Sequence, residues 1–372
     1  MTSTPAQIGC HVSEVDTPAL LVELDALERN IRRMQQRLAG TKLRLRPHAK
    51  THKSTAIANL QRAVGAVGVC CQKVSEAEIM VDGGIGDVLI SNEIVGAAKL
   101  DRVAALARRA KIAVCVDHPD NVDALAAAAQ KFGARIDVLV ELDVGASRCG
   151  VETAAEAVRL ASAIRETKFL HFAGLQAYHG SAQHLRDYEE RRRAIERAAA
   201  KAAESIERLR RDGIECETVT GAGTGTFEFE MASGIYTELQ AGSYVFMDAD
   251  YGRNLDRNGA PVSEFEHSLF LLTTVMSTPT GDRAIVDSGL KALAVDSGMP
   301  LVADGEGVSY ARASDEHGRL DLGGNRRFKL GEKIRLIPGH CDPTVNLHDW
   351  YVGIRNNRVE CIWPVSARGA VF

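Results

Sequence analysis

At 372 residues, 45% hydrophobic and 25% charged, with a mean hydropathy of −0.11, the chain is globular in composition and too long for one ordinary core. A formal charge of −4 gives no attraction to nucleic acid or an anionic membrane, and no run approaches the roughly 18 apolar residues of a membrane-spanning helix. Met1-Thr2-Ser3-Thr4-Pro5 lacks the basic-then-apolar order of a secretory signal, and the eight scattered cysteines include no CxxC pair, which suits reduced thiols in the cytoplasm rather than disulfides or a zinc ribbon.

From residue 18 to about 225 one theme repeats: a short apolar run, then a longer amphipathic segment. The runs are Ala19-Leu20-Leu21-Val22, Leu43-Arg44-Leu45, Val67-Gly68-Val69-Cys70, Val88-Leu89-Ile90, Ile112-Ala113-Val114-Cys115-Val116, Ile136-Asp137-Val138-Leu139-Val140, Phe172-Ala173-Gly174-Leu175 and Thr218-Val219-Thr220. Eight strand–helix units predict an α/β fold with a (β/α)₈ TIM-type barrel, in preference to an open doubly wound sheet. Leu185 to Arg211 mixes Arg, Glu and Ala, the pattern of a solvated helix with i,i+4 ion pairs rather than a nucleic-acid surface.

Chemistry in such a barrel belongs at the carboxyl ends of the strands. There the sequence places His48 and Lys50, Gln72 and Lys73, Ser91-Asn92-Glu93, Asp117-His118, Asp143 and Arg148, Tyr178-His179-Gly180, and Gly221-Ala222-Gly223-Thr224-Gly225. The stretch Arg46-Pro47-His48-Ala49-Lys50-Thr51-His52-Lys53 leaves a strand at Pro47 with two lysines that could serve as a Schiff-base amine, or could be solvated surface. The Gly-rich turn offers backbone N–H groups to an anion, as phosphate cradles late in barrels do.

Beyond about residue 250, strand-like pieces such as Leu269 to Val275, Arg283 to Val286, Lys333 to Ile337 and Arg358 to Ile362 predominate, separated by turns at Asp321-Leu322-Gly323-Gly324-Asn325 and Arg355-Asn356-Asn357. They predict a barrel over residues 14–255 and an all-β domain over 256–372, joined by residues 1–13. His340-Cys341-Asp342, with His348-Asp349 nearby, is the densest cluster of ligand-type residues. On an extended strand His340 and Asp342 would share one side and grip a cation such as Mn²⁺, Mg²⁺ or Zn²⁺; the competing reading is a turn at Asp342-Pro343-Thr344.

Arg46-Pro47-His48-Ala49-Lys50, Cys70-Cys71-Gln72-Lys73-Val74-Ser75-Glu76, Gly174-Leu175-Gln176-Ala177-Tyr178-His179-Gly180, Gly223-Thr224-Gly225 and Pro338-Gly339-His340-Cys341-Asp342-Pro343-Thr344 closely resemble the D-threonine aldolases, within the alanine-racemase-like, fold-type III group. The C-terminal segment is also similar to 3-hydroxy-D-aspartate aldolases. The resemblance runs from about Asp16 to the C-terminus. It implies pyridoxal 5′-phosphate, a divalent metal (Mn²⁺ first, with Mg²⁺ or Co²⁺ as alternatives), a small D-amino-acid substrate and a homodimer. Carried across, Lys50 matches the Schiff-base lysine and Lys53 does not. Gln72, Arg148 and Tyr178 line the cofactor site. Gly223, Thr224 and Gly225, helped by Gly242 and Ser243, match the phosphate cradle. His340 and Asp342 match the metal ligands, and His184 the histidine beside the metal water. Related dehydratases carry a Cys two residues after the metal His, where this chain has Asp342. Ala222 departs from the family, which has Gly there.

Overall fold

Strand runs that alternate with amphipathic helices fold into an eight-stranded parallel sheet in the order Arg44–Leu45, Glu238–Leu239, Thr218–Gly221, Leu170–Gln176, Ile136–Glu141, Lys111–Val116, Asp87–Glu93, Val69–Cys71. A parallel bridge between His48 and Cys70 joins the two ends, so the sheet curls into the expected (β/α)₈ barrel. The computed structural model describes residues 4–303, 305–323 and 326–372; Met1, Thr2 and Ser3, and Gly324 and Asn325 of the expected turn, lie outside these.

Membership of the barrel differs from the sequence reading at one strand. Ala19–Glu23 pairs antiparallel with Leu269–Thr280 and parallel with Trp350–Arg355, so it is a central strand of the second sheet. Ala19 to Val22 are buried on both faces, and a strand covered on both sides reads like a barrel strand in sequence. The chain therefore enters the barrel after Glu23 rather than at residue 14. The eighth barrel strand is Glu238–Leu239, two residues long and without an apolar run to announce it.

Among the described residues the second sheet has nine strands and includes the predicted pieces from Leu269–Thr280 to Arg358–Pro364. Its last hairpin turns at Asn356 and Asn357, with φ of 52° and 58°, the paired left-handed geometry that Asn tolerates. Residues near the N-terminus join this sheet: Gly9 N–H donates to Val359 O at 2.8 Å and Val359 N–H to Cys10 O at 3.0 Å.

Cys70, Leu89, Cys115 and Leu139 cluster inside the barrel. Beside them the buried Arg46 donates to Glu238 Oε1 at 2.9 Å and to Asp87 Oδ1 at 2.7 Å, both near the starts of their strands. This plugs the amino end and leaves the carboxyl end as the open mouth. The helix Tyr188–Arg211 buries Ala194, Ala198 and Ala202 and exposes i,i+3 and i,i+4 pairs such as Arg210–Glu207 and Arg208–Asp212, as its charge pattern predicts. No helix among the described residues is long and apolar enough to cross a membrane.

Candidate active site

The mouth of the barrel holds a cavity of about 360 Å³ lined by His48, Lys50, Gln72, Arg148, Tyr178, His184, Gly223, Thr224, Gly242 and Ser243, among others. Each comes from a segment that follows a barrel strand, as the fold requires. Pairing ends with the His48–Cys70 bridge, and the chain turns into a single 3₁₀ turn, Ala49–Thr51, that carries Lys50. His48 caps that turn: its Nδ1 accepts the Lys50 N–H at 3.3 Å. Its Nε2 lies 3.2 Å from Ser91 Oγ and 3.0 Å from the Gln72 side-chain amide. Burial, with Lys50 nearby, holds the His48 imidazole well below its usual range, so it is neutral.

Arg148 rides on a loop shaped by Asp143, whose Oδ1 accepts the N–H groups of Gly145 at 2.8 Å and Ser147 at 3.1 Å. Its guanidinium carbon lies 5.8 Å from the centre of the Tyr178 ring, and Nη2 is 4.0 Å from Glu141 Oε1. Burial and the neighbouring Glu93 push the Glu141 carboxyl up. Among the described residues, three ligand-type groups that gather within 4.8 Å are Glu93, Asp117 and Cys149, an assembly the sequence reading did not single out. The Arg148 loop closes over it, with Gly150 N–H donating to Asp117 Oδ2 at 3.0 Å.

The glycine-rich turn fits a phosphate group. Among the described residues, the N–H groups of Gly223, Thr224, Gly242 and Ser243 donate to no protein acceptor, and all four residues line the cavity. A Cβ on Gly223 would lie 2.4 Å from Gln183 Oε1, and one on Gly242 would lie 2.7 Å from His48 O, so side chains would fill the cradle. Gly225 behaves differently from the expectation. Its N–H donates to Gln183 Oε1 at 3.0 Å and it faces a neighbouring cavity, because its bare Cα lets the Gln183 backbone approach. Ala222 adopts φ of 73°, a left-handed conformation that glycine would take with less strain.

The second domain reaches Lys50 through the segment around His340 and Asp342. His340 caps a short helix, Cys341–Val345, so the segment is a turn into a helix and not the extended strand that would set His340 and Asp342 on one side. Cys341 is buried, its N–H held by Asp248 Oδ2 at 3.0 Å. Asp342 Oδ2 lies 3.2 Å from Lys50 Nζ, while its Oδ1 is buried with no hydrogen-bond partner. Burial acts to raise the Asp342 carboxyl, but Lys50 and His340 outweigh it and hold it below its usual range. His340 Nδ1 is 2.7 Å from Asp296 Oδ2, which leaves Nε2 for a metal. An orphaned carboxylate oxygen beside such an imidazole fits an octahedral divalent cation that keeps open positions. His348 and Asp349 do not join this group: His348 Nε2 contacts Ala292 O at 2.7 Å and Asp349 pairs with Arg368.

His184 sits at the edge of the cavity with Nδ1 2.5 Å from Asp250 Oδ2. Sequence reading missed Asp250, Asp296 and Asp248, since each meets its partner in the site far along the chain. The nearest signal was the polar stretch Asp248-Ala249-Asp250-Tyr251, which lies just before the domain boundary expected at residues 255 and 256.

The family description "Alanine racemase, N-terminal domain" matches residues 22–250, and "Putative serine dehydratase domain" matches 268–354. A D-threonine aldolase from an Arthrobacter species is 51% identical over 366 residues, covering 98% of this chain and 96% of the relative. The 3-hydroxy-D-aspartate aldolase of Paracoccus denitrificans is 49% identical over 369 residues, covering 98% and 95%. The crystal structure of D-threonine aldolase from Filomicrobium marinum, 52% identical, superimposes with a TM-score of 0.97 over 100% of both chains. The chain belongs to this alanine-racemase-like aldolase family. A D-threo-3-hydroxyaspartate dehydratase from a Delftia species stands further off, at 29% identity and a TM-score of 0.85 over 95% of this chain and 98% of that one. The family is pyridoxal-phosphate-dependent, and the cradle and Lys50 of this aldolase are the features that match that cofactor.

Proposed function

We propose that the protein cleaves D-3-hydroxyamino acids by a metal-assisted retro-aldol reaction, with D-threonine giving glycine and acetaldehyde. The observation that carries this reading is the pairing of Lys50 with Asp342, Lys50 lining one cavity together with His184. A site for the substrate's amino group and a site for its hydroxyl thus face each other.

Lys50 would hold pyridoxal phosphate, which when bound acts as an electron sink for the carbanion left on Cα. Gly223, Thr224, Gly242 and Ser243 offer their N–H groups to its phosphate, and the Arg148 guanidinium lies over the cavity beside Tyr178. His340 Nε2 and Asp342 Oδ1 would hold a divalent ion, whose charge makes the substrate β-hydroxyl easier to deprotonate. His184 then takes that proton as general base. The hydroxyl oxygen's electron pair becomes the carbonyl bond of the departing aldehyde as Cα–Cβ breaks, and a proton delivered to Cα balances the one taken from the hydroxyl and leaves glycine. Tyr251, His48 and Gln72 wall the cavity and limit water. We also propose that the working unit is a homodimer.

A second reading, cleavage of 3-hydroxy-D-aspartate to glycine and glyoxylate, draws support from the 49% identical relative of that name. Dehydration is disfavoured by Asp342, which stands where the dehydratases resemble one another in having cysteine. Product analysis separates these readings: acetaldehyde from D-threonine at a higher kcat/KM than glyoxylate from 3-hydroxy-D-aspartate supports the proposal. A preference for the second substrate, or ammonia and a keto acid as products, would replace it.

A further inference from the structure

His184 is held by more than its place at the cavity edge. Asp250 Oδ2 lies 2.5 Å from His184 Nδ1, and only 5% of the Asp250 side chain is exposed. The other carboxylate oxygen is bonded by Arg186 Nη2, with Arg253 Nη2 3.7 Å away. Arg186 Nη1 also donates to the Asp250 carbonyl at 2.7 Å and to Asn254 Oδ1 at 2.8 Å. Asn254 Nδ2 in turn donates to the carbonyl of Gln183, the residue before His184, at 2.9 Å. The carboxylate therefore cannot swing away without breaking bonds on both sides of His184. Tyr251 completes the surroundings, its ring 6.0 Å from the imidazole.

A carboxylate flanked by arginines can only accept hydrogen bonds, so the nitrogen facing it must carry the proton. A neutral imidazole has one N–H, and here it is committed to Nδ1. We infer that Asp250 is a positioning residue that locks His184 as the Nδ1–H tautomer and leaves the Nε2 lone pair for the substrate's β-hydroxyl proton. The inference rests on the proposed retro-aldol reading. When Nε2 takes the proton, the imidazolium charge is met by Asp250 at no cost in rearrangement. Hydrogen bonds from His184 and Arg186 outweigh the effect of burial and hold the Asp250 carboxyl at about 2, so it stays ionised throughout.

The experiment compares Asp250→Asn, His184→Ala and the double variant as holoenzymes loaded with Mn²⁺. Exchanging the carboxylate for an amide favours the other tautomer, and kcat should fall about 10²–10⁴-fold with KM little changed. The absorption band of the lysine-bound cofactor and the Mn²⁺ dissociation constant should stay at wild-type values. The double variant should be no slower than His184→Ala alone, because the two residues act as a unit. Wild-type kcat in Asp250→Asn, or losses that multiply in the double variant, would overturn the inference. Full activity in His184→Ala would instead remove the base assignment itself. Nitrogen-15 spectra of the histidine-labelled wild-type protein carrying its cofactor and diamagnetic Mg²⁺ in place of Mn²⁺ decide the tautomer without any variant of Asp250, the His184 signals being assigned from His184→Ala. The Nδ1–H form is expected, and the Nε2–H form contradicts it.

Discussion

Lys50 of the barrel, which lines the cavity, meets Asp342 of the second domain, Nζ to Oδ2 at 3.2 Å. Asp342 raises the Lys50 ammonium above its usual range, so the pair is charged in the structure described. Two domains thus share one site, and a change to either partner should register in the other. Lys50→Ala and Lys50→Arg should both lose the visible band of lysine-bound cofactor. Arginine keeps the charge opposite Asp342 but not the primary amine, so a band that survives in Lys50→Arg would mean that the amine is supplied elsewhere.

Lys53 has a different task. Its Nζ lies 2.9 Å from Glu76 Oε1 and 3.3 Å from the Ala367 carbonyl, and its side chain is only 10% exposed. It ties the Lys50 turn to the helix Val74–Asp82 and to the C-terminal segment. Lys53→Met should leave the Glu76 carboxylate buried and unpaired, costing about 3–5 kcal/mol of stability in denaturant unfolding while retaining the cofactor band. A loss below about 1 kcal/mol would show that the pair is solvated in practice.

Much of the site was legible because its residues lie in short motifs at strand ends. A strand end and the barrel rule brought the stretch with Lys50 and Lys53 and the Gly223 turn to one mouth, and the family resemblance chose Lys50 over Lys53. Ala19–Glu23 was misplaced because a central strand of a covered sheet carries the same apolar run as a barrel strand. Glu238–Leu239 was invisible because two residues have no period. For His340 and Asp342 the sequence left an extended strand and a turn open, and the turn prevails, since Pro343 sits inside the first turn of a helix that begins at Cys341. Asp250 and Asp296 act through histidines 66 and 44 residues away, a relationship that no local pattern records.

Ala222, 1% exposed, holds a left-handed conformation with φ of 73°. A β-carbon there costs about 1–2 kcal/mol, partly offset by the greater freedom that glycine has when unfolded. Ala222→Gly should therefore raise stability by about 0.5–1 kcal/mol, read as a higher denaturant midpoint with an unchanged slope. A lower midpoint would mean that the Ala222 methyl packs well enough to outweigh the strain.

His52 is fully buried, and burial pulls its imidazole down to about 4 from an ordinary 6.5. The unfolded chain then binds more protons than the folded one between these values, so stability is complete above pH 6.5 and falls as pH drops towards 4. The contribution at stake is at most about 3 kcal/mol. His48 shifts in the same direction and adds to the slope. In His52→Asn, whose side-chain oxygen can accept the Ser54 N–H now bonded to His52 Nδ1, the melting temperature should depend less steeply on pH across this window. An identical slope would place the acid sensitivity elsewhere.

The central claim is that Asp342 and His340 hold a divalent ion on which cleavage of the D-substrate depends. Its most direct measurement is acetaldehyde release from D-threonine and L-threonine by the purified, pyridoxal-phosphate-loaded protein, before chelation, after it, and after Mn²⁺ is restored. The account predicts release from D-threonine alone, lost on chelation, recovered with Mn²⁺, and not recovered in Asp342→Ala. Undiminished release in chelator, or none from D-threonine under any condition, would contradict it.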